Sequence, residues 1–436
     1  LRRILKAWGV KEMKTIRDYY AAKAPVVARR SMGMALLLSV AVVMIAGCAT
    51  PSPRLQPSGL NTTFALGEDV PFASYLQKTR EMIIRGRVDI HDSNGETVLE
   101  ANMPFELPPD QGNFPKGKDG KYGRGILLFH GLSDSPYLLG PLARHLQKQG
   151  FLVRTILLPG HGTVPGDLLD IRYEEWIRAA QYGIRSMKGE VTDLFLGGFS
   201  TGAALSVLEG MKDKEIKGLI LISPALAVKD RRIALAGMLR GIKDWVGDIQ
   251  DDVDYAKYET FALNAAYQIY LLTREIDALL EQGRRIEAPV FAALSREDIT
   301  IDPDRALFVL GKYASSPRNL LIVYGKNPPR AGGASVGYIY NESSFLADKK
   351  VLDFSHVSLP VPCDDRHYGD RGGYKNCLHY RNDQEKRRVC LMNDSIWRGE
   401  ISGDNLQAFT VRRLTCNPKY DGMIEKLDIF LKSVAR

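Results

Sequence analysis

Beyond its first 47 residues the chain has almost no net charge. Those residues hold nine Lys/Arg against two Asp/Glu, which leaves +1 of the formal +8 for everything after them. A nucleic-acid partner would need basic surface on the folded part, so none is expected. Cysteine is scarce as well: there are five in 436 residues and no CxxC pair, which removes the usual spacing of a zinc site. No apolar run reaches the roughly 20 residues that span a bilayer as a helix, and no internal repeat divides the chain. What remains is ordinary globular material, 45% hydrophobic and 25% charged, enough for one large core with insertions or for two small domains.

The basic leader has the parts of an export signal. Lys14, Arg17, Lys23, Arg29 and Arg30 precede an uncharged apolar stretch at 34–47, too short to span a bilayer and right for a signal peptide. Met13, which keeps the basic segment, is the expected start. The stretch ends Ile45-Ala46-Gly47-Cys48, which resembles the lipobox of bacterial lipoproteins, in which a cysteine after small residues is lipidated. Residues 1–47 therefore read as a lipoprotein signal peptide and Cys48 as the lipidation site. Residues 48–70, Pro/Ser-rich at 51–60, read as a solvated tether. Ala49 in place of Asp resembles the sorting pattern for the outer membrane, so the expected location is the bacterial cell envelope, lipid-anchored and facing the periplasm.

From Gly125 onward, short β-rich runs alternate with helical ones, the pattern of a parallel sheet with crossover helices. Strands are expected at 125–130, 151–158, 193–197, 218–223, 289–294 and 319–324, most of them continuously apolar and so buried on both faces. Leu138, Leu139, Leu142 and Leu146 mark a helix that Gly150 stops, and 173–187, 201–211 and 304–313 read as further helices. Residues 227–287 show helical patterns only and read as a cap inserted between two strands. The Gly/Pro/Ser-rich segment 325–350 reads as an irregular loop, 351–354 as a short last strand, 360–416 as polar and loop-like, and 423–434 as a closing helix.

Gly198-Phe199-Ser200-Thr201-Gly202 is a GxSxG sequence between an expected strand and an expected helix, the setting of a nucleophile elbow. A serine hydroxyl needs a base, and the base needs an orienting carboxylate. In this arrangement the chain order is Ser, acid, His, and only His356, His367 and His379 follow Ser200. His356 lies just past the run 351–355, where the base belongs, whereas His367 and His379 fall in the polar segment and read as surface residues. Asp298 stands in the loop after strand 289–294 and is the favoured acid, with Glu297 as the alternative. Asp302, followed by Pro303, reads as a helix N-cap. A tetrahedral intermediate needs two N–H donors, expected from Thr201 and from Leu132 in the turn His130-Gly131-Leu132-Ser133. His130 and His161 read as braces of the active-site loops. Asp364, Asp365, Arg366, His367 and Asp370 read as a solvated ion-pair cluster.

The motifs HGLSDSP at 130–136, LLPGHG at 157–162, GFSTG at 198–202, ED-x-x-x-D-P-D at 297–304 and SHVSLP at 355–360 together resemble the bacterial carboxylesterase and monoglyceride-lipase group of α/β-hydrolases. The likeness covers roughly 125–360. It implies an α/β-hydrolase domain at 71–436, with a mostly parallel sheet flanked by helices and a cap at 227–287 over an acyl pocket. It also implies Ser200, Asp298 and His356 as a triad, with Leu132 and Thr201 as oxyanion donors. The chain departs from the group in three ways: the oxyanion loop lacks an extra glycine, Ser355 replaces the glycine that often precedes the base, and a four-cysteine segment follows His356.

The expected function is hydrolysis of a small-molecule or lipid carboxylic ester through an acyl-enzyme, with no cofactor and no metal. Phe261, Leu263, Ile269, Leu271, Leu272 and Ile276 are available to face the acyl pocket or to pack the cap onto the core. Acyl transfer or peptide cleavage by the same triad, or a non-catalytic envelope scaffold, are the alternatives. Cys363, Cys377, Cys390 and Cys416 are an even set in the polar segment of an exported chain and read as two disulfides. Of the three pairings, Cys363 with Cys416 and Cys377 with Cys390 is favoured, because the first would draw both ends of the excursion at 360–416 back to the sheet and pin the His356 loop.

Overall fold

The computed structural model describes residues 52–63, 70–91, 93–239, 243–247, 249, 253–328 and 339–435. The expected signal peptide and Cys48 lie outside these residues. Among the described residues no helix is long and apolar enough to cross a membrane.

The strands in chain order are β1 (Glu106–Leu107), β2 (Tyr122–Phe129), β3 (Phe151–Ile156), β4 (Val191–Phe199), β5 (Gly218–Ile222), β6 (Trp245–Val246), β7 (Phe261–Ala262), β8 (Val290–Ser295), β9 (Leu320–Gly325), β10 (Ile339–Ser343), β11 (Trp397–Gly399) and β12 (Val411–Arg413). Eight of them form one sheet in the order β1-β3-β2-β4-β5-β8-β9-β10. β1 runs antiparallel to β3, and every other neighbouring pair is parallel.

Side-chain parity divides the apolar strands between two cores. Leu127 and Phe129 of β2, Leu194 and Leu196 of β4, and Leu219 and Leu221 of β5 enter one core. Ile126 and Leu128, Phe195 and Phe199, and Ile220 and Ile222 enter the other. Successive residues of a strand point to opposite faces, so strands buried on both sides must be apolar throughout. The first core is closed by α4 (Tyr173–Lys188), α5 (Thr201–Lys212), α6 (Leu263–Glu281) and α7 (Pro303–Tyr313), and the second by α3 (Gly140–Lys148) and α9 (Tyr420–Val434). The remaining longer helices are α1 (Phe72–Gly86), α2 (Gly95–Asn102) and α8 (Gln384–Met392). Asp302 caps α7 by accepting the Arg305 amide at 3.2 Å, with Pro303 at the first helical position.

Four regions differ from the sequence reading. The insertion between β5 and β8 is not helical only: besides α6 it carries the antiparallel pair β6–β7. The expected loop 325–350 holds β10, an edge strand parallel to β9, whose residues Ile339, Tyr340, Asn341, Glu342 and Ser343 are all half-buried and therefore lack the apolar run that marks the inner strands. The expected strand at 351–354 reduces to isolated pairings of Val351 with Leu346 and Arg398. The described part of the expected tether is docked: the Ser58 amide and hydroxyl donate to the two Asp167 oxygens at 2.6 and 2.7 Å, and Arg54 donates to Thr260 Oγ1 at 3.2 Å. Polar residues in a Pro/Ser-rich stretch look solvated in sequence because their partners lie more than 100 residues away.

The excursion at 360–416 contains α8 and a parallel pair, β11–β12. Disulfides join Cys363 to Cys416 and Cys377 to Cys390, the favoured pairing.

Candidate active site

β4 ends at Phe199 and α5 begins at Thr201, so the whole reversal falls on Ser200, with φ 54° and ψ −112°. A non-glycine residue in the left-handed region is strained and persists only where its surroundings fix it. Here the Ser200 amide donates to the Ile222 carbonyl at 2.9 Å, and the Ser200 carbonyl accepts from the Ala204 and Ala225 amides at 3.1 Å each. A Cβ at Gly202 would collide with the backbone of Phe129 and His130, and one at Gly198 with the Phe129 carbonyl. The two glycines of the motif thus let the elbow lie directly against the end of β2.

Ser200, His356 and Asp298 meet. His356 Nε2 lies 2.9 Å from Ser200 Oγ, and Nδ1 lies 2.5 Å from Asp298 Oδ2. The other Asp298 oxygen accepts the Thr300 and Ile301 amides at 2.8 and 3.0 Å. All three residues are buried. With the proton on Nδ1, Nε2 faces the serine as an acceptor. Glu297 is turned away, accepting the Lys326 amide at 2.7 Å and the Ser344 hydroxyl at 3.0 Å.

Leu132 lies in the turn that follows β2 and borders the same cavity as Ser200. Neither the Leu132 nor the Thr201 amide donates to an acceptor among the described residues. Ser133, at φ 62°, donates its amide to His161 Nε2 at 3.0 Å, and His161 Nδ1 faces the Leu158 and Pro159 carbonyls. His130 accepts the Leu158 amide at 2.9 Å. Both imidazoles join the turn after β2 to the loop after β3, and burial pushes His161 down to about 4 and His130 well below its usual value. Burial also raises the carboxyl of Asp134, opposed by Lys257, whose Nζ lies 3.4 Å from Oδ1.

A cavity of about 410 Å³ opens above Ser200. Its apolar wall includes Leu132, Val228, Phe261, Ile269, Ile301 and Val357. Of the six cap side chains expected to face a pocket or pack the cap, Phe261 and Ile269 border this cavity, Leu272 and Ile276 are buried in the first core, and Leu263 and Leu271 are half-exposed. A further part of the wall comes from the excursion: Tyr374, Asn376, Leu378, His379, Ile401 and Arg413. No motif announces these residues. The signal available was their place between Cys363 and Cys416, two cysteines that both follow His356.

Of the two histidines read as surface residues, one is interior and the other half-buried. His367 is buried, with Nε2 2.9 Å from Asp254 Oδ1, while Tyr368 donates to Asp254 Oδ2 at 2.7 Å. This pairing ties the cap to the excursion, so the expected solvated cluster is partly interior. His379 is half-buried on the cavity wall and is held down to about 4 by burial. Neither reaches Ser200.

Residues 123–255 match the family described as serine aminopeptidase, S33, a span that holds the turn at Leu132 and Ser200. A thermostable monoacylglycerol lipase of Bacillus sp. (strain H-257) is 27% identical over 204 residues, 45% of this chain and 79% of that protein. A carboxylesterase of Bacillus subtilis (strain 168) is 21% identical over 203 residues, 45% of this chain and 81% of that one. Among solved structures, a monoacylglycerol lipase from Paleococcus ferrophilus is 20% identical with a TM-score of 0.41, covering 51% of this chain and 88% of its own. A soluble variant of monoglyceride lipase from Saccharomyces cerevisiae is 15% identical with a TM-score of 0.42, covering 51% and 82%. Sheet order, nucleophile elbow and family match make this chain an α/β-hydrolase of the esterase- and lipase-like kind.

Proposed function

We propose that the protein is a serine hydrolase that cleaves carboxylic esters through Ser200, His356 and Asp298. The observation that carries this reading is the chain of contacts Ser200 Oγ–His356 Nε2, 2.9 Å, and His356 Nδ1–Asp298 Oδ2, 2.5 Å, at the floor of a largely apolar cavity. His356 takes the Ser200 proton as Oγ attacks the ester carbonyl, and Asp298 stabilises the imidazolium that forms. The Leu132 and Thr201 amides, which have no acceptor among the described residues, receive the oxyanion. The tetrahedral intermediate collapses to an acyl-enzyme as His356 returns the proton to the departing alcohol. Water, deprotonated by the same imidazole, then releases the acid and restores Ser200.

The apolar wall suits an acyl chain, and the polar groups of the excursion, Asn376, His379 and Arg413, suit a polar alcohol, so the substrate is an amphiphilic lipid ester. The names of the two Bacillus relatives agree with this class. The family description as an aminopeptidase supports amide cleavage as a second reading. A series of p-nitrophenyl esters of increasing chain length, with amino-acid p-nitroanilides alongside, separates the two. Ester turnover that rises with chain length is expected, with a loss of about a thousandfold or more in Ser200→Ala. Turnover of the anilides alone, or full ester activity in Ser200→Ala, would contradict the proposal.

A further inference from the structure

We propose that Glu400 and Arg413, two residues of the excursion, are positioning residues for the triad, so that the excursion is a working part of the active site. The inference rests on the serine-hydrolase reading above. His356 sits in a single 3-10 turn, His356–Ser358, and its backbone amide is buried where no ladder or helix can pair it. A buried amide left unpaired is costly. Glu400 Oε2 accepts it at 3.0 Å.

Glu400 is itself fully buried, and a buried carboxylate persists only when paired. Its Oε1 lies 3.1 Å from Arg413 Nε and accepts the Ile401 amide at 3.0 Å. Arg413 extends the link: Nη2 donates to Thr300 Oγ1 at 3.3 Å, and the Thr300 amide donates to Asp298 Oδ1 at 2.8 Å. One chain of contacts therefore runs from the loop of the base, through Glu400 and Arg413, to the loop of the acid.

The far end of this clamp is anchored as well. The Glu400 amide donates to Asp353 Oδ1 at 2.6 Å, and Asp353 Oδ2 receives Asn405 Nδ2 at 2.8 Å and Lys326 Nζ at 2.9 Å. Ser355, next to the base, donates its hydroxyl to the Leu414 carbonyl at 2.5 Å, one residue past Arg413. The motifs shared with other esterases end near residue 360, so this clamp is supplied by a segment outside them.

The test compares wild type, Glu400→Gln, Glu400→Ala, Arg413→Lys and the charge-free pair Glu400→Gln/Arg413→Met, which leaves no buried ion stranded. Each is measured for kcat and KM on one ester, for the rate of phosphonylation by a fluorophosphonate, and for Tm. Glu400→Gln keeps an acceptor for the His356 amide and should lose about three- to tenfold in kcat. Glu400→Ala loses that acceptor too and should lose on the order of a hundredfold, the scale of an ångström of misplacement. In the two Glu400 variants phosphonylation should slow in parallel while KM stays within about twofold, because Glu400 does not border the cavity. Arg413→Lys should fall between wild type and the double variant, since an ammonium keeps the charge but not the planar fork. Wild-type protein that neither turns over esters nor takes the probe overturns the hydrolase reading and the clamp with it. An active wild type with Glu400→Gln and the double variant both within twofold of it in kcat and phosphonylation rate overturns the clamp alone.

Discussion

The proposed nucleophile and the proposed base stand on two differently built regions. Ser200 and the turn at Leu132 sit at the ends of β4 and β2, whose side chains alternate into two apolar cores. His356 sits on one 3-10 turn, held by Glu400, by the Ser355–Leu414 contact and by a segment that the Cys363–Cys416 bond closes. Apolar burial is non-directional and shared over many residues, so no one of them decides where Ser200 stands. Buried polar contacts are directional and few, and each is expensive to leave half-made. A perturbation that spares apolar burial should therefore reach the base before it reaches the nucleophile.

The largest effect expected from that contrast comes from the disulfides. The Cys363–Cys416 bond closes 53 residues and constrains the unfolded chain by about 4 kcal/mol, against about 3 kcal/mol for the 13-residue Cys377–Cys390 loop. Replacing Cys363 and Cys416 together by Ala should lower kcat about tenfold at temperatures where the sheet is still folded. The equivalent pair at 377 and 390 should cost less activity. Ester kcat and circular dichroism recorded on the same samples across a thermal ramp check this. Equal losses from both pairs, or activity and sheet lost together, would dissolve the contrast.

The same contrast explains what could be read from sequence. The inner strands announce themselves by apolar runs, and Ser200 by glycines whose absence of a side chain is required where the elbow meets β2. Asp298 and His356 were legible because each follows a strand or strand-like run, and the chain order of the triad left few alternatives. β10 was not legible, since an edge strand half-buried throughout carries no alternation. Nor was the excursion's part of the cavity wall: Tyr374, Asn376, His379 and Arg413 sit in polar sequence whose partners lie far away in the chain, as Arg413 with Thr300 and His367 with Asp254 show. Distant polar pairing leaves no periodic trace.

A smaller effect sharpens the comparison from the nucleophile side, where burial lowers the pKa of both histidine braces, His130 and His161. Burial holds His161 at about 4 instead of 6.5, and the neutral ring accepts the Ser133 amide. The unfolded chain takes up this proton near pH 6.5 while the fold refuses it until about pH 4, so unfolding binds a proton across that window. Stability should therefore fall as pH drops from 6.5 to 4, by roughly 3 kcal/mol from this group. Urea midpoints at pH 7 and pH 4.5 for wild type and His161→Gln measure it. A pH dependence that the substitution leaves unchanged would show that His161 is not the group responsible.

The central claim, that Ser200 is a nucleophile activated by His356, is tested most directly by fluorophosphonate labelling followed by peptide mass spectrometry. The account predicts one phosphonyl adduct, on the peptide that contains Ser200, absent from Ser200→Ala and formed at least about a hundredfold more slowly in His356→Ala. An adduct on another serine, or undiminished labelling of Ser200→Ala, would contradict it.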